Sequence, residues 1–419
     1  MTAPSTEAKL AKAAWEQAAL ANLRGKPLHS LDQQTLDGLL RPPLGTLADN
    51  PQIEGLPGQF PFTRGATIRA DPNLPWQICQ PVMVPDPHLA NQHILQELTG
   101  GASGVQLRLC PDGSDGIAVP DLAALQQVLA GIDLEIASLG IDPSPDSANF
   151  AKLLVDHWQQ SGVDISKTNT HFGFSPASIA IRTNTQANYP AAIEFCQWVI
   201  EHAPQSRTFC MSADLIHNAG ATEVLELAWI CAETVQTMQQ LLANNLAPDQ
   251  AASQIYASIA MDARLHEGIA KLRAARRLIA RVLEVFEVSE AARCLFIHAV
   301  SSQRSLSKTD PWVNSLRTSS GCFAAVLGGA QMISVTTFTA RLGHPRQMAR
   351  RLARNTQLVL AEECAAARVV DPAGGSHAHE QMTDQLAKAA WSCFQDIEAQ
   401  GGLLAVAENG WLEQTLSAQ

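Results

Sequence analysis

Charged side chains are scarce in this chain of 419 residues, where they make up 16% of the composition. Forty acidic against 29 basic residues leave a net charge of -11, which opposes attraction to nucleic acid or to an anionic membrane. No apolar run reaches the roughly 20 residues of a membrane span, and the alanine-rich amino terminus has no hydrophobic signal segment. We therefore expect a cytoplasmic protein that binds neither nucleic acid nor a membrane.

Closely spaced cysteine pairs are missing, and the nine cysteines are odd in number and scattered, which argues against zinc and redox motifs. The glycine-rich pieces at Gly100 and Leu327 have neither the dinucleotide-binding spacing nor that of a P-loop, so we interpret them as turns. His377 and His379 have no third ligand nearby and are predicted to be surface histidines. Metal, redox and nucleotide-binding classes are thus disfavoured.

Hydrophobic residues, by contrast, make up 46% of the chain, enough for a substantial core. From Trp76 onward, short apolar runs alternate with segments of helical periodicity, which predicts parallel strands joined by crossover helices. Eight strands are the number that closes a (βα)8, or TIM-type, barrel, although an open doubly wound sheet has a similar pattern. The predicted strands are WQICQPV from Trp76, VQLRL from Val105, LEIASL from Leu134, THFGFS from Thr170, FCMSADL from Phe209, IYASIAM from Ile255, LFIHAV from Leu295 and MISVTT from Met332.

Three regions are expected along the chain. Residues 1–58 form an N-terminal arm with a helix at Lys9–Leu23 followed by irregular, proline- and glycine-containing chain. Residues 59–370 form the barrel, and residues 371–419 form a helical tail with a helix at Glu380–Ala399. The crossover helices are predicted at Leu89–Leu98, Leu122–Leu129, Asn149–Gln160, Tyr189–His202, Ala221–Asn244, His266–Phe286, Trp312–Leu327 and Pro345–Ala367.

Function in such a barrel is expected where its strands end. The residues at these ends form no obvious triad, carboxylate pair or metal set, and the competing interpretation is that most of them cap loops. They are Pro81, Arg108, Asp214, His217, Met261, Asp262, Ser301, Ser302, Gln303 and Thr337.

A second candidate is a basic helix, whose guanidinium groups have the geometry to bind the phosphates of an acyl-CoA. The competing interpretation is a cationic helix face paired with neighbouring acids. The cations are Lys271, Arg273, Arg276, Arg277 and Arg281, and Arg350, Arg351 and Arg354 pose the same choice.

Eight segments, read in order, resemble the methylmalonyl-CoA mutase family over nearly the whole chain. They are WEQAALANLRGKP, TLDGLLRPPLGTLAD, FPFTRG, NAGATEVLELA, AKLRAARRL, TDPWVNSLRTSSGCFAAVLGGAQMISV, ARNTQLVLAEE and RVVDPAGGSHAH. The resemblance implies a (βα)8 barrel whose axial hole admits the pantetheine arm of acyl-CoA, and a separate domain that presents adenosylcobalamin. It also implies that Thr63, Arg64, Lys271, Arg273 and Arg276 shape the barrel entrance or neighbour CoA.

The chain departs from that family where chemistry is expected. The D-x-H-x-x-G motif that supplies the lower base of cobalamin does not occur, and the nearest sequence, Asp86 to Asn91, has Asn in place of Gly. Asp71 matches a substrate-stacking tyrosine, and Asp214-Leu215 match a Tyr-His pair. Because leucine cannot donate a hydrogen bond and Asp214 would repel a carboxyacyl group, we infer that the catalytic groups are lost.

These losses resemble the small, or beta, subunit of heterodimeric bacterial mutases. The resemblance implies a chain that is inactive alone and stabilises a large subunit, which carries adenosylcobalamin and interconverts methylmalonyl-CoA and succinyl-CoA. No cobalamin-binding domain is expected here, although small subunits generally retain a degenerate one. The arm, Thr6 to about Gly58, carries Trp15, Leu23 and Leu39 and wraps either the partner or its own barrel.

Two alternatives stay open. One is a working split mutase whose cobalamin domain is a separate polypeptide and whose mouth uses Asp71, Asp214 and His217 on an unusual acyl group. The other is a cobalamin-free acyl-CoA binder, which would bind CoA esters without a protein partner. The sequence does not determine whether the axial hole is open or plugged by side chains.

Overall fold

Eight parallel strands close into a barrel in the computed structural model, which describes residues 6–46, 49, 55–68, 71 and 74–418. The barrel strands follow one another in chain order, and the last pairs with the first through Met332 opposite Gln77. This closure confirms the (βα)8 barrel and rules out the open sheet. The barrel strands are β3 (Gln77–Val82), β4 (Gly104–Leu107), β7 (Ser138–Ile141), β8 (Thr170–Phe174), β9 (Arg207–Ser212), β10 (Ile255–Met261), β11 (Phe296–Ser301) and β12 (Met332–Ser334). Two short pairs lie outside the barrel: β1 (Gln33–Gln34) with β2 (Leu40–Arg41), and β5 (Leu109–Cys110) with β6 (Ile117–Ala118).

Helices surround the barrel and begin at recognisable caps. The Asp86 carboxylate accepts a hydrogen bond from the Leu89 amide at 2.7 Å, and Asp121 does the same for Ala124 at 2.9 Å. The helices are α1 (Thr6–Asn22), α2 (Pro87–Thr99), α3 (Leu122–Leu129), α4 (Ser147–Ser161), α5 (Pro176–Thr183), α6 (Tyr189–His202), α7 (Ala213–Ala219), α8 (Glu223–Ala243), α9 (Pro248–Ser253), α10 (Leu265–Val285), α11 (Pro311–Leu327), α12 (Gln347–Leu358), α13 (His377–Ala399), α14 (Leu403–Glu408) and α15 (Trp411–Ala418).

One strand lies later in the chain than predicted. The run from Leu134 begins with a turn, because the Asp133 carboxylate accepts from the Glu135 amide at 3.0 Å and its carbonyl accepts from Ala137 at 2.9 Å. Ile136 in this turn is 82% exposed, and β7 starts only at Ser138. The predicted helix Pro345–Ala367 is also shorter, since α12 ends at Leu358 and a π-helical turn follows at Val359–Glu363.

Three rings fill the middle of the barrel, and we call Phe296, His171 and Tyr256 the axial stack. The His171 ring centroid lies 5.0 Å from that of Tyr256 and 4.8 Å from that of Phe296. These residues belong to β8, β10 and β11, and β8 is not a neighbour of either other strand. Their rings therefore meet across the barrel interior, as they do in packed barrels.

A glycine on the inner wall allows one further side chain to fill the interior. A Cβ built on Gly140 would lie 1.8 Å from the Gln106 Oε1 atom, far inside van der Waals contact. Only glycine accommodates the Gln106 amide at this height of β7. The interior of the barrel is thus packed by residues from several strands.

The described part of the N-terminal arm contacts its own barrel through a short segment. Asp37 Oδ2 accepts from the Val224 amide at 3.3 Å, and Arg41 Nη1 donates to Glu267 Oε1 at 2.6 Å. No residue of α1 is buried, and Leu10 and Leu20 are exposed. The segment around Asp37 therefore packs on its own barrel, while α1 presents Leu10 and Leu20 to solvent.

The C-terminal tail packs on the barrel helices. The core of the molecule includes Leu386, Phe394 and Ile397 of α13 and Leu403 of α14, all buried. In the part of the chain that the structure describes, no helix is long and apolar enough to cross a membrane.

Candidate functional site at the barrel mouth

A cavity of about 320 Å³ opens at the carboxyl ends of the barrel strands. Its inner wall carries Tyr256 of the axial stack, Ser258 and His298, and its outer wall carries Arg108 and Asp214. We call this space the mouth cavity. It lies where barrel enzymes place their chemistry.

An ion pair fixes one side of the mouth cavity. Arg108 Nε donates to Asp142 Oδ2 at 2.9 Å, and Gln106 Nε2 donates to Asp142 Oδ1 at 2.8 Å. The nearby Asp142 carboxylate raises the pKa of Arg108 above its ordinary value. Both oxygens of Asp142 are therefore engaged by the protein.

Asp214 is the unusual acid of the mouth cavity. It lies in the first turn of α7, directly after β9. Burial and the neighbouring Asp142 raise the pKa of its carboxyl to about 7, although a hydrogen bond with Ser258 and the charge of Arg108 act in the opposite direction. The Asp214 Oδ1 atom is buried without a hydrogen-bond partner among the described residues. Leu215 lines the same cavity.

We expect Asp214→Asn to stabilise the folded chain most at about pH 8. The pKa of the Asp214 carboxyl is about 7 in the folded chain, against 3.8 ordinarily. Between these two pH values the folded state keeps a proton that the unfolded state has lost, and above about pH 7 the folded state must carry a carboxylate that burial disfavours. The gain should be about 2 kcal/mol at pH 8, reduced from the full shift because the side chain is half-buried, and should shrink toward pH 5. Urea unfolding of both proteins at the two pH values measures it. A gain that is equal at both would contradict the raised pKa.

His298 is a neutral imidazole in the inner wall. Its Nε2 atom lies 2.8 Å from Ser334 Oγ, and Ser334 Oγ donates to the Cys79 carbonyl at 2.7 Å. Since the Ser334 proton is committed to Cys79, His298 must donate from Nε2, which leaves its Nδ1 atom as an acceptor. Burial lowers the pKa of His298 to about 4, so the ring is uncharged at neutral pH.

A serine, a histidine and a carboxylate form a buried chain beside the mouth. The Ser302 Oγ atom lies 2.7 Å from His217 Nε2, and His217 Nδ1 hydrogen bonds to Glu226. Lys271 Nζ donates to Glu226 Oε2 at 2.9 Å. Burial raises the pKa of Glu226, but the neighbouring Lys271 and His217 lower it by more, so this pKa lies below its ordinary value.

Sequence alone gave no obvious triad, because Glu226 lies inside the long helix α8 rather than at a strand end. The structure brings it to His217 and Ser302, but all three side chains have no measurable exposure to solvent. A nucleophile needs access to its substrate, so this chain of hydrogen bonds holds α7, α8 and the end of β11 together.

Most other strand-end candidates support loops. The Asp262 carboxylate accepts from Arg264 Nε at 2.8 Å, and Ser301 Oγ accepts from the Thr336 amide at 3.0 Å. Gln303 Nε2 donates to Thr336 Oγ1 at 3.1 Å. Met261 and Thr337 are buried, and Pro81 lies within β3. These contacts agree with the interpretation that most strand-end residues cap loops.

The cations of α10 have protein partners. Arg273 has no exposure and donates to Glu380 Oε1 at 2.8 Å, Thr383 Oγ1 at 3.0 Å and Asp371 Oδ2 at 3.2 Å. Arg277 donates to Asp384 Oδ1 at 3.2 Å. The outward-facing Arg281 pairs with Glu284. Arg350 and Arg354 on α12 share Glu97, whereas Arg351 is exposed.

A second cavity, of about 380 Å³, lies at the amino ends of the barrel strands. Arg64, Arg276 and Asp71 line it, and buried Thr63 precedes Arg64. Arg64 Nε pairs with Asp371 Oδ2 at 3.0 Å, and Arg276 donates to the carbonyls of Phe62 and Gly329, each at 3.2 Å, and of Gly328. Protein groups thus satisfy both guanidinium groups.

Residues 43–419 match the family model for methylmalonyl-CoA mutase, which is most of the chain. The chain belongs to the methylmalonyl-CoA mutase family. It is 36% identical to the methylmalonyl-CoA mutase small subunit of Streptomyces virginiae over 91% of this chain and 61% of that protein. Against the small subunit of Propionibacterium freudenreichii subsp. shermanii the identity is 34%, over 90% of this chain and 58% of that protein. The methylmalonyl-CoA mutase of Cereibacter sphaeroides is 29% identical, over 95% of this chain and 60% of that protein. The chain spans about three fifths of these relatives.

The axial passage that the family resemblance implies is filled in this chain. Tyr256 lines the mouth cavity, Phe296 lines the cavity at the amino ends, and His171 lies between them in ring contact with both. The two cavities share no lining residue. An extended pantetheine arm therefore has no path along the axis in this conformation.

The groups suggested for a split mutase do not come together. Asp71 lines the cavity at the amino ends of the strands, and Asp214 lines the mouth at the opposite end. His217 is completely buried in its contact with Glu226. The sequence could not show this separation, because neither segment has a fixed position along the barrel until the fold is known.

The described residues do not fit a cobalamin lower base. The nearest sequence begins at Asp86, whose carboxylate caps α2, and His88 bonds to Gln92 along the same helix. Residues 6–46, 49, 55–68, 71 and 74–418 contain no group of three or more His, Cys, Asp or Glu side chains placed to hold a metal ion. His379, predicted to be on the surface, is half-buried, and its Nε2 atom lies 3.0 Å from His266 Nδ1.

Proposed function

We propose that this chain is the small, non-catalytic subunit of an adenosylcobalamin-dependent methylmalonyl-CoA mutase, and that it stabilises a large subunit that carries the cofactor and interconverts methylmalonyl-CoA and succinyl-CoA. The observation that carries the proposal is the filled barrel axis, because Phe296, His171 and Tyr256 occupy the path that an acyl-pantetheine would need. Leu215 at the mouth supports it, since a leucine cannot hydrogen bond to a thioester carbonyl.

The relatives support the same assignment. Those named small subunit are more similar to this chain than the compared protein named methylmalonyl-CoA mutase. The proposed partner is a cobalamin-binding large subunit, and the assembly would work in the cytoplasm. In this proposal residues 1–58 form the docking arm, 59–370 the barrel and 371–419 the tail that braces it. The acyl-CoA contacts that the resemblance implies would involve Arg64 and Arg276 at the amino-end cavity.

The proposal is tested by mixing the purified chain with a cobalamin-binding mutase large subunit. We expect a complex on size-exclusion chromatography, methylmalonyl-CoA isomerisation only when the large subunit is present, and no binding of methylmalonyl-CoA by the lone chain in calorimetry. Isomerisation by this chain with a separate cobalamin-binding protein, or corrinoid colour in the chain purified alone, would refute the non-catalytic assignment. Tight CoA-ester binding without a partner would support the acyl-CoA binder instead.

The exposed helix α1 provides a specific prediction for this complex. Leu10 and Leu20 are 66% and 46% exposed, and a partner that covers them would remove their apolar surface from water. We expect Leu10→Ser with Leu20→Ser to weaken the complex by about tenfold while thermal unfolding of the lone chain stays unchanged. The matched control is Ile136→Ser, which changes a still more exposed apolar residue in the turn before β7 and should leave the affinity unaltered. Equal affinities for both variants would exclude α1 from the interface.

A further inference from the structure

The mouth cavity presents hydrogen-bond acceptors that the protein leaves unused. Asp214 is half-buried, and its side chain lines the cavity. His298 is 2% exposed and spends its only N–H on Ser334, so its remaining nitrogen is an acceptor. Both side chains line the same space, together with Ser258. A ligand with several donors would find hydrogen-bond acceptors on this wall.

The charges of the cavity select against an anion in its interior. Asp142 is already engaged by Arg108 and Gln106, and Asp214 adds a second carboxyl. Asp115 and Asp146 stand at the rim. A carboxylate or phosphate placed at the inner wall would face Asp214 and a neutral imidazole, neither of which donates to it when Asp214 is ionised.

We propose that the mouth cavity of this chain is a binding site for the primary ammonium group of a small amine or amino acid, with Asp214 and His298 as its acceptors. An ammonium group has three donors, and the Asp214 carboxylate, the His298 imidazole nitrogen and the Ser258 hydroxyl oxygen offer three acceptors on the cavity wall. The site is independent of the subunit assignment, because it needs neither CoA nor a partner chain.

The cavity has room for a molecule of this size. Its 320 Å³ correspond to about ten water molecules at their share of liquid volume. Arg182 at the rim is exposed and has no ion-pair partner in the part of the chain that the structure describes. A carboxylate at the outer end of the ligand would meet this guanidinium, so Arg182 distinguishes an amino acid from a simple amine.

Binding should depend on pH in the direction set by Asp214. Its pKa is raised to about 7, so the carboxylate that attracts the ammonium group forms only as the pH rises past that value. Affinity should therefore increase from about pH 6 to about pH 8. The titratable and charged groups that line the cavity with Asp214 are Arg108, Cys110, Asp115, Asp142, Asp146, Arg182, Cys210, Tyr256 and His298.

The test uses the full chain with ethanolamine and alanine as probes, and propionate as an anionic probe of similar size. Binding is followed by chemical-shift changes and by isothermal titration at about pH 6 and pH 8. We expect millimolar binding of ethanolamine or alanine that is several-fold tighter at pH 8, and no binding of propionate. If an amino acid is the better ligand, Arg182→Gln should weaken the binding of alanine and leave the binding of ethanolamine unchanged.

Asp214→Asn keeps the shape of the side chain and should reduce ammonium affinity by about tenfold to a hundredfold, since it replaces a charged acceptor with a neutral one. The matched control is Asp396→Asn at an exposed position of α13, which should bind as the unaltered chain does. Far-UV circular dichroism shows whether each variant folds, and Ser258→Ala provides a second variant with a smaller expected loss. Binding of neither amine by the folded chain, or binding that survives Asp214→Asn, would overturn the proposal.

Discussion

Arg273→Ala is expected to lower the free energy of unfolding by about 3 to 5 kcal/mol. The Arg273 side chain has no exposure, and its guanidinium lies between the buried carboxylates of Asp371 and Glu380. Removing it leaves Glu380 without its counter-ion, and leaves Asp371 with Arg64 alone, in a region from which water is excluded. Equilibrium unfolding in urea, followed by circular dichroism, measures the loss.

The matched control is Arg281→Ala, on the same helix. Arg281 is exposed, and its partner Glu284 lies one turn away, so its removal should change stability by less than about 0.5 kcal/mol. If both variants unfolded at the same urea concentration, the structural role of Arg273 would be wrong, and the CoA-binding role suggested by the family resemblance would regain support.

Glu226→Ala is expected to destabilise the chain by a similar amount, about 3 to 5 kcal/mol. It would leave the Lys271 ammonium, which is bonded to Glu226 at 2.9 Å and to the Ala260 carbonyl at 2.6 Å, without a counter-ion. It would also remove the acceptor of His217. Thermal and urea unfolding of the variant check the size of the effect.

A double-mutant cycle separates the interaction between Glu226 and Lys271 from the other effects of changing each side chain. Glu226→Leu combined with Lys271→Met removes both charges, and we expect the double variant to lose at least about 1 kcal/mol less than the sum of the two single changes. Glu267→Ala is a suitable comparison, because its partner Arg41 is partly exposed, whereas Lys271 is buried. Strict additivity of the two changes would show that Glu226 and Lys271 do not interact.

The barrel could be predicted from the sequence because all of its strands are buried, and buried strands appear in a sequence as short apolar runs. The prediction misplaced the start of β7 because Ile136 is apolar but exposed, in a turn held by Asp133. The short helices α5 and α7 were not predicted, although α3, which has the same length as α5, was. Their position directly after β8 and β9 is set by the barrel rather than by local sequence.

The site was less predictable than the fold. Arg108, Asp214 and Leu215 were identified from their position after strands and from the family motifs, and the structure places all three at the mouth cavity. His298 was missed because it lies in the middle of β11, where a buried histidine looks like any other core residue. Glu226 was missed for the same reason in α8. The contacts that distinguish them join residues from distant parts of the chain, such as Ser334 with His298 and Ser302 with His217.

Phe296, His171 and Tyr256 also determine how a molecule could travel. With the axis of the barrel occupied, a molecule would enter the mouth cavity from the carboxyl ends of the strands, a doorway that Asp115 and Arg182 help to line. A protein seated over that doorway would act as its lid. Exchange of whatever the cavity holds would then be no faster than separation of the two proteins, which would convert a loosely held small molecule into a long-lived component of the assembly.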